Sequence, residues 1–185
     1  QQRPRYHLVL TGHSLGAGVA SLVAILLRSR LGLGRSRLRA IAFAPTCTLP
    51  LHQCGRHERL IDAYVFASDV VPRLSLGSLL QLRQAIEMAA AGDDEALDAH
   101  LRRCLRRPHP DCRFPPGRLR LLPKRHPKSW QRGAPATSEV VGTAIARLPR
   151  RSLGLVRVRR GMLRDHGFDR YERSFDGLAR VGDGE

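Results

Sequence analysis

The sequence predicts an α/β fold, a mostly parallel sheet flanked by helices, and three observations carry that prediction. First, Leu8, Val9 and Leu10 form an apolar run suited to a strand covered on both faces. Second, a glycine-rich turn follows, and then an apolar stretch, 17–27, that reads as a buried helix beside a sheet. Third, residues 38–44 (Leu-Arg-Ala-Ile-Ala-Phe-Ala) and 61–67 (Ile-Asp-Ala-Tyr-Val-Phe-Ala) read as further strands. Strands separated by helical or long crossover segments belong to parallel sheets.

The turn between the first strand and helix places Gly12, Ser14 and Gly16 in the pattern G-x-S-x-G. This spacing holds a serine at the tip of a sharp strand-to-helix turn, where Cβ atoms two residues away on either side are expected to collide. Ala17 and Gly18 are expected to keep the next helical turn thin, so that helix and strand pack closely. The Ser14 hydroxyl is then presented at the carboxyl end of the sheet. The N–H of Leu15, at the helix start, is left to bind a developing oxyanion. An ordinary strand-to-helix turn can share the spacing, but the flanking strand and helix supply the context that the motif requires.

The helix should run to about Arg30 and end at Gly32 and Gly34. Pro45 closes the second strand, and the third ends in Ser68-Asp69-Val-Val-Pro-Arg73. Beyond it, Leu79, Leu82, Ile86 and Ala89 fall on one helical stripe, and Leu97, Leu101 and Cys104 or Leu105 on another. Gly92 separates them, with Asp93 or Asp94 as cap. This predicts a helical hairpin whose outer face carries Arg102, Arg103, Arg106 and Arg107. Residues 108–116 read as loop and 118–122 as a strand. The basic, Pro/Gly/Ser-rich stretch 126–151, with the only tryptophan, Trp130, reads as a flexible insertion. Residues 155–159 alternate Leu-Val-Arg-Val-Arg, as a strand near the sheet edge does. Phe168, Tyr171, Phe175 and Leu178 mark an amphipathic terminal helix.

At 185 residues the chain is long enough for one domain with a real core. It starts on Gln1 with strand-like sequence close behind. A doubly wound fold rarely begins on its nucleophile strand, so the expectation is a carboxyl-terminal portion lacking the first strands. No targeting segment is visible, and a peripheral-membrane or cytoplasmic location is expected. The net charge of +16 is almost wholly arginine, Lys124 and Lys128 being the only lysines. Such charge suits an anionic surface, but no nucleic-acid-binding motif accompanies it. Cys47, Cys54, Cys104 and Cys112 lack C-x-x-C spacing, although Cys104, His109 and Cys112 lie close in sequence. Free thiols are expected, with disulfides only in a secreted chain.

A serine alcohol needs a base to take its proton and a carboxylate to orient that base. On this fold the chain order is Ser, then Asp or Glu, then His. Asp62 lies at the wrong end of its strand. Asp69 lies at the right end and is preferred over Asp93, Asp94 and Asp98 of the hairpin. Of eight histidines, His166 alone follows a late strand and precedes a terminal helix. His13 neighbours the serine, with its side chain expected to point elsewhere. Asp165 is a rival carboxylate, ranked low because adjacent residues rarely point their side chains together.

Five blocks now carry a resemblance: residues 12–18 (Gly-His-Ser-Leu-Gly-Ala-Gly), 42–45 (Ala-Phe-Ala-Pro), 69–74 (Asp-Val-Val-Pro-Arg-Leu), 114–118 (Phe-Pro-Pro-Gly-Arg) and 162–166 (Met-Leu-Arg-Asp-His) with Tyr171. In this order they resemble the class 3 lipase family, in particular its diacylglycerol lipase-like members. The resemblance implies an α/β-hydrolase fold and hydrolysis of glycerolipid acyl esters. The alternatives are a phospholipase A1 or galactolipase of the same family, or a non-catalytic basic adaptor that binds membranes or RNA on a hydrolase scaffold. Residue by residue, Ser14 would be the nucleophile, Asp69 the orienting carboxylate and His166 the base, with Leu15 as one oxyanion donor. No metal or organic cofactor is implied. The partners implied are a glycerolipid and an anionic membrane surface met by Arg102, Arg103, Arg106 and Arg107, without nucleic acid. In that family the second oxyanion donor and the lid lie ahead of the elbow, so these residues alone are expected to catalyse poorly. On this reading residues 1–185 form a partial hydrolase domain, with insertions at 78–113 and 126–151.

Overall fold

The computed structural model describes residues 6–33, 36–122 and 146–182, with side chains as far as Phe175. Among them, five strands form one sheet in the order β1 (Leu8–His13), β2 (Leu38–Phe43), β3 (Ile61–Phe66), β4 (Arg118–Leu122) and β5 (Ala146–Arg147). The first four are mutually parallel and β5 is antiparallel to β4. Each parallel pair is joined by a crossover: α1 (Leu15–Leu31) after β1, the single turn α2 (Leu51–Cys54) after β2, and the hairpin of α3 (Leu76–Ala90) and α4 (Asp94–Arg106) after β3. A final helix, α5 (Phe168–Gly182), follows a loop. A parallel four-stranded sheet with flanking helices is the arrangement of an α/β-hydrolase fold.

The period-two pattern of the strands divides the core between the two faces of the sheet. Leu38, Ala40, Ala42, Ile61, Ala63 and Leu119 bury one face against Ala17 and Ala24 of α1. Alanines on both sides let helix and sheet approach closely. The other face carries the larger aromatics. Phe43, Tyr64 and Phe66 pack against Tyr171 and Phe175 of α5. At the amino-terminal end of that face Asp62 is buried between Arg39 (2.7 Å) and Arg120 (3.3 Å), far from the rim where the strands end.

Helix limits follow the residue chemistry closely. Gly32, with φ 60°, closes α1 in the left-handed conformation that glycine adopts without strain. Gly92 does the same between the hairpin helices, and Asp93 caps α4 by accepting from the Ala96 N–H at 2.9 Å. Ser75 caps α3 in a reciprocal box with Ser78.

Four expectations are corrected. Leu8 and Val9 are 42% and 51% exposed, because among the described residues β1 is an edge strand paired with β2 alone. Residues 155–159 are irregular rather than a strand. The place beside β4 is taken by β5, and the alternating Val158 points into solvent. In α3 the apolar stripe is not the buried one: Leu79 and Ile86 are exposed, while Gly77, Ser78 and Gln81 face inward. The hairpin closes through polar and small groups, with His100 of α4 donating from Nε2 to the Gln81 carbonyl (3.0 Å) and Cys112 Sγ 3.2 Å from Gln81 Oε1. A side chain at Gly77 would run into the Cys112 backbone. Finally, Gly18 makes room for the Thr46 side chain in the loop after β2 rather than for the first strand. Trp130 and residues 126–145 of the stretch expected to be flexible lie outside the described residues.

Candidate active site

Three strands end in left-handed residues: Ser14 (φ 58°) after β1, Ala44 (φ 49°) after β2 and Ala67 (φ 44°) after β3. A non-glycine residue there is strained, and such strain gathers where a chain must turn sharply at one rim. Ser14 is held by its own N–H, which donates to the Phe43 carbonyl at 2.9 Å, and by α1, whose Ala17 and Gly18 N–H groups donate to the Ser14 carbonyl. The steric requirement in the turn rests on Gly12. A Cβ there would lie 2.5 Å from the Gly16 carbonyl carbon and oxygen, whereas a Cβ at Gly16 would meet nothing within 4 Å. The expected symmetric role of the two glycines is therefore corrected: the helix start fills the space over Gly12 and leaves Gly16 open. The Leu15 N–H, in the first turn of α1, is one of the amides that helix geometry leaves without an intrahelical acceptor.

The loop after β3 brings in the carboxylate. Asp69 is fully buried. Its N–H donates to the Phe66 carbonyl, and its Oδ1 accepts from the Val71 N–H at 2.9 Å, so main chain and side chain are fixed together. Arg73, in the short turn Val71–Arg73, is also buried and donates from Nη1 to the Ser152 carbonyl at 2.9 Å. Burial, followed by the nearby Arg157, lowers its pKa to about 10, while the Asp69 charge acts in the opposite sense. Arg73 thus remains charged at neutral pH beside the carboxylate.

His166 ends the turn Arg164–His166 just before α5. Its Nδ1 lies 3.1 and 3.2 Å from the two Asp69 oxygens, and its Nε2 lies 2.9 Å from Ser14 Oγ. Ser14, Asp69 and His166, which are far apart in sequence, form one hydrogen-bonded row at the carboxyl rim of the sheet. Asp165 is turned to the loop before Asp69, where its Oδ2 accepts from the Ser68 N–H at 3.3 Å.

Two further side chains complete the row, and sequence reasoning did not assign either a role in it. The Tyr171 hydroxyl donates to Asp69 Oδ2 at 2.5 Å and accepts from the Phe66 N–H at 2.9 Å. Burial, then the adjacent Asp69 charge, raises its pKa well above the ordinary value, so it stays a neutral donor. Its place on the apolar stripe of the terminal helix was a usable signal, since a buried tyrosine hydroxyl needs a partner. The second is His13. Its side chain does not point elsewhere: Nε2 donates to the His166 carbonyl at 2.9 Å, and the two rings lie 4.8 Å apart.

The remaining candidates lie elsewhere. Cys47, Cys54, Cys104 and Cys112 are free thiols. Among the described residues no three His, Cys, Asp or Glu side chains are grouped to hold a metal. Arg102, Arg103 and Arg106 are exposed on α4, and Arg107 is exposed just past its end; Arg102 pairs with Asp98 at 2.8 Å. Among the described residues no helix is long and apolar enough to cross a membrane.

Residues 1–78 match the family model for lipase (class 3). The chain is 38% identical over 84 residues to mouse diacylglycerol lipase-beta, covering 45% of this chain and 12% of that protein. It is 32% identical over 82 residues to human diacylglycerol lipase-alpha, covering 44% of this chain and 8% of that protein. The chain therefore corresponds to a small part of the curated relatives it matches. No solved structure matches it significantly. The match to the family model includes Ser14 and Asp69, while His166, His13's partner carbonyl and Tyr171 enter through the tertiary structure.

Proposed function

We propose that the protein is a serine hydrolase that cleaves acyl esters of glycerolipids, with di- or triacylglycerol as substrate, through an acyl-enzyme. The single observation that best supports this reading is the row from Ser14 Oγ through His166 to Asp69, with distances of 2.9 and 3.1 Å. The similarity to class 3 lipases supplies the substrate class.

Ser14 Oγ gives its proton to His166 Nε2 as it attacks the ester carbonyl carbon. The carbonyl oxygen becomes an oxyanion facing the Leu15 N–H. Asp69 holds the imidazole with Nδ1–H toward itself and stabilises the imidazolium that forms. His166 then protonates the departing glycerol oxygen, leaving the acyl group on Ser14. Water then loses a proton to His166 as its oxygen attacks the acyl carbon, and His166 returns that proton to Ser14 Oγ as the bond to the serine breaks and the fatty acid leaves. The exposed arginines of α4 meet the anionic surface on which such substrates lie.

The test is labelling and hydrolysis by the full-length protein. A fluorophosphonate should modify Ser14, and Ser14→Ala should abolish both labelling and fatty-acid release from diacylglycerol, triacylglycerol, phosphatidylcholine and galactolipid alike. The relative rates on those four identify the head group. Fatty-acid release undiminished in the alanine variant would overturn the reading.

A further inference from the structure

The base and the nucleophile are carried by parts of the chain that do not pack by design of a common element. Ser14 sits on the end of β1, held by the sheet ladder. His166 sits 152 residues later, in a three-residue turn outside the sheet. Proton transfer needs the two atoms within hydrogen-bond reach, and a 1 Å misplacement can cost about 10²-fold in rate. The Asp69 contact fixes the tilt of the imidazole, and Asp165 ties the turn to the Ser68 N–H at 3.3 Å, but neither joins the main chain of His166 to β1.

We infer that His13 is a positioning residue for this reaction: it clamps the main chain of His166 to the strand that carries Ser14. His13 directly precedes Ser14, and its main chain is in register with Phe43 of β2, so clamp and nucleophile move as one body. Its Nε2–H donates to the His166 carbonyl at 2.9 Å, and its ring lies against the His166 ring with centroids 4.8 Å apart and planes inclined by 33°. Phe168 and Tyr171 meet the His13 ring edge-to-face at 5.6 and 5.7 Å, which locks its rotamer from the α5 side. A carbonyl can only accept, so Nε2 carries the proton. Burial, and then the neighbouring His166, lower the His13 pKa and keep the ring neutral. A neutral clamp can lie beside an imidazolium that forms and discharges in each cycle without repelling it. This inference rests on the proposed acyl-transfer reading and deepens it.

The experiment compares His13→Gln, His13→Asn and His13→Phe in the full-length protein with p-nitrophenyl butyrate. Glutamine carries an N–H near the position of Nε2, asparagine stops one methylene short, and phenylalanine keeps the ring without the donor. The expected result is a fall in kcat of about 10²-fold for Asn and Phe, the cost of a misplaced base, with KM unchanged and most of the loss recovered in Gln. Near-ultraviolet circular dichroism establishes folding. Equal kcat in Gln and Asn, a loss confined to KM, or unfolding of both amide variants would overturn the clamp, the last by giving His13 a purely structural role. Failure of the underlying reading looks different. There, hydrolysis would survive Ser14→Ala, whereas failure of the clamp alone leaves hydrolysis dependent on Ser14 and indifferent to His13→Asn and His13→Phe.

Discussion

Asp69 meets His166 in space at 3.1 Å and Asp165 adjoins it in sequence, yet the surroundings of the two carboxylates differ. Asp69 receives Val71 N–H, Tyr171 O–H and His166 Nδ1–H, so both of its oxygens face donors. Asp165 receives the Ser68 N–H. Asp69→Asn is therefore expected to lower turnover by roughly 10⁴-fold, as when a triad carboxylate is neutralised, and Asp165→Asn far less. Steady-state kinetics on both variants decide it, and the reverse ranking would move the carboxylate to the other loop. Tyr171 adds a pH dependence. Its folded pKa is raised above 10.0 by burial beside Asp69, so the folded state favours the protonated phenol. That contribution is fully present below pH 10 and is lost as pH rises toward the folded value. Burial also raises Cys54, to about 11, and Cys47, which act in the same direction. Thermal melts at increasing alkaline pH should therefore show a steeper decline in the native protein than in Tyr171→Phe, whose difference isolates the phenol. Parallel declines would place the alkaline sensitivity in the thiols alone.

At the scale of the element, the strand-to-helix turn works because one glycine is indispensable and the other is not. A Cβ at Gly12 would have to displace the carbonyl of Gly16, which is backbone of the helix that positions the Leu15 N–H. Gly12→Ala should leave little folded protein with an intact elbow. Gly16→Ala has open space and lies inside a helix, where alanine is favoured over glycine by about 0.5–1 kcal/mol. Its melting temperature should match or exceed that of the parent, measured by circular dichroism; a clear fall would mean that Gly16 is sterically required after all. The hairpin shows the opposite relation between pattern and packing. Leucine and isoleucine spacing marks the solvent face of α3, because the inner face must approach the 111–112 backbone and does so with Gly77, Ser78 and Gln81.

Across the whole molecule, charge and exposed apolar surface are unevenly placed. The arginines of α4 stand in solvent beside half-exposed Leu101 and Leu105, a combination suited to an anionic lipid interface. Binding to phosphatidylserine-containing vesicles should weaken as salt rises, because exposed charges are screened, and should weaken further when Arg102, Arg103, Arg106 and Arg107 are all alanine. Sedimentation with vesicles measures both; salt-independent binding would reduce the arginine content to compositional drift. Val19, Leu22, Val23 and Leu26 of α1 are exposed, as are Leu8 and Val9 of β1. Among the described residues the sheet is therefore most exposed at β1 and most enclosed around β3.

The sequence by itself determined the first four strands, the elbow and the order Ser14, Asp69, His166, because each is local: apolar runs, a glycine two residues before a serine, an aspartate just past a strand end. Gly32, Gly92 and Asp93 were legible for the same reason, since caps act within one turn. Only the tertiary structure decided which face of α3 is buried, that residues 155–159 form no strand, and that His13 and Tyr171 belong to the site. Those outcomes depend on which surfaces meet. Strand alternation alone sets His13 and Ser14 on opposite faces, and only the left-handed kink at Ser14 and the return of the chain at residue 166 bring Ser14, His13 and His166 to one place. No periodicity within 185 residues encodes a contact made across 153 of them.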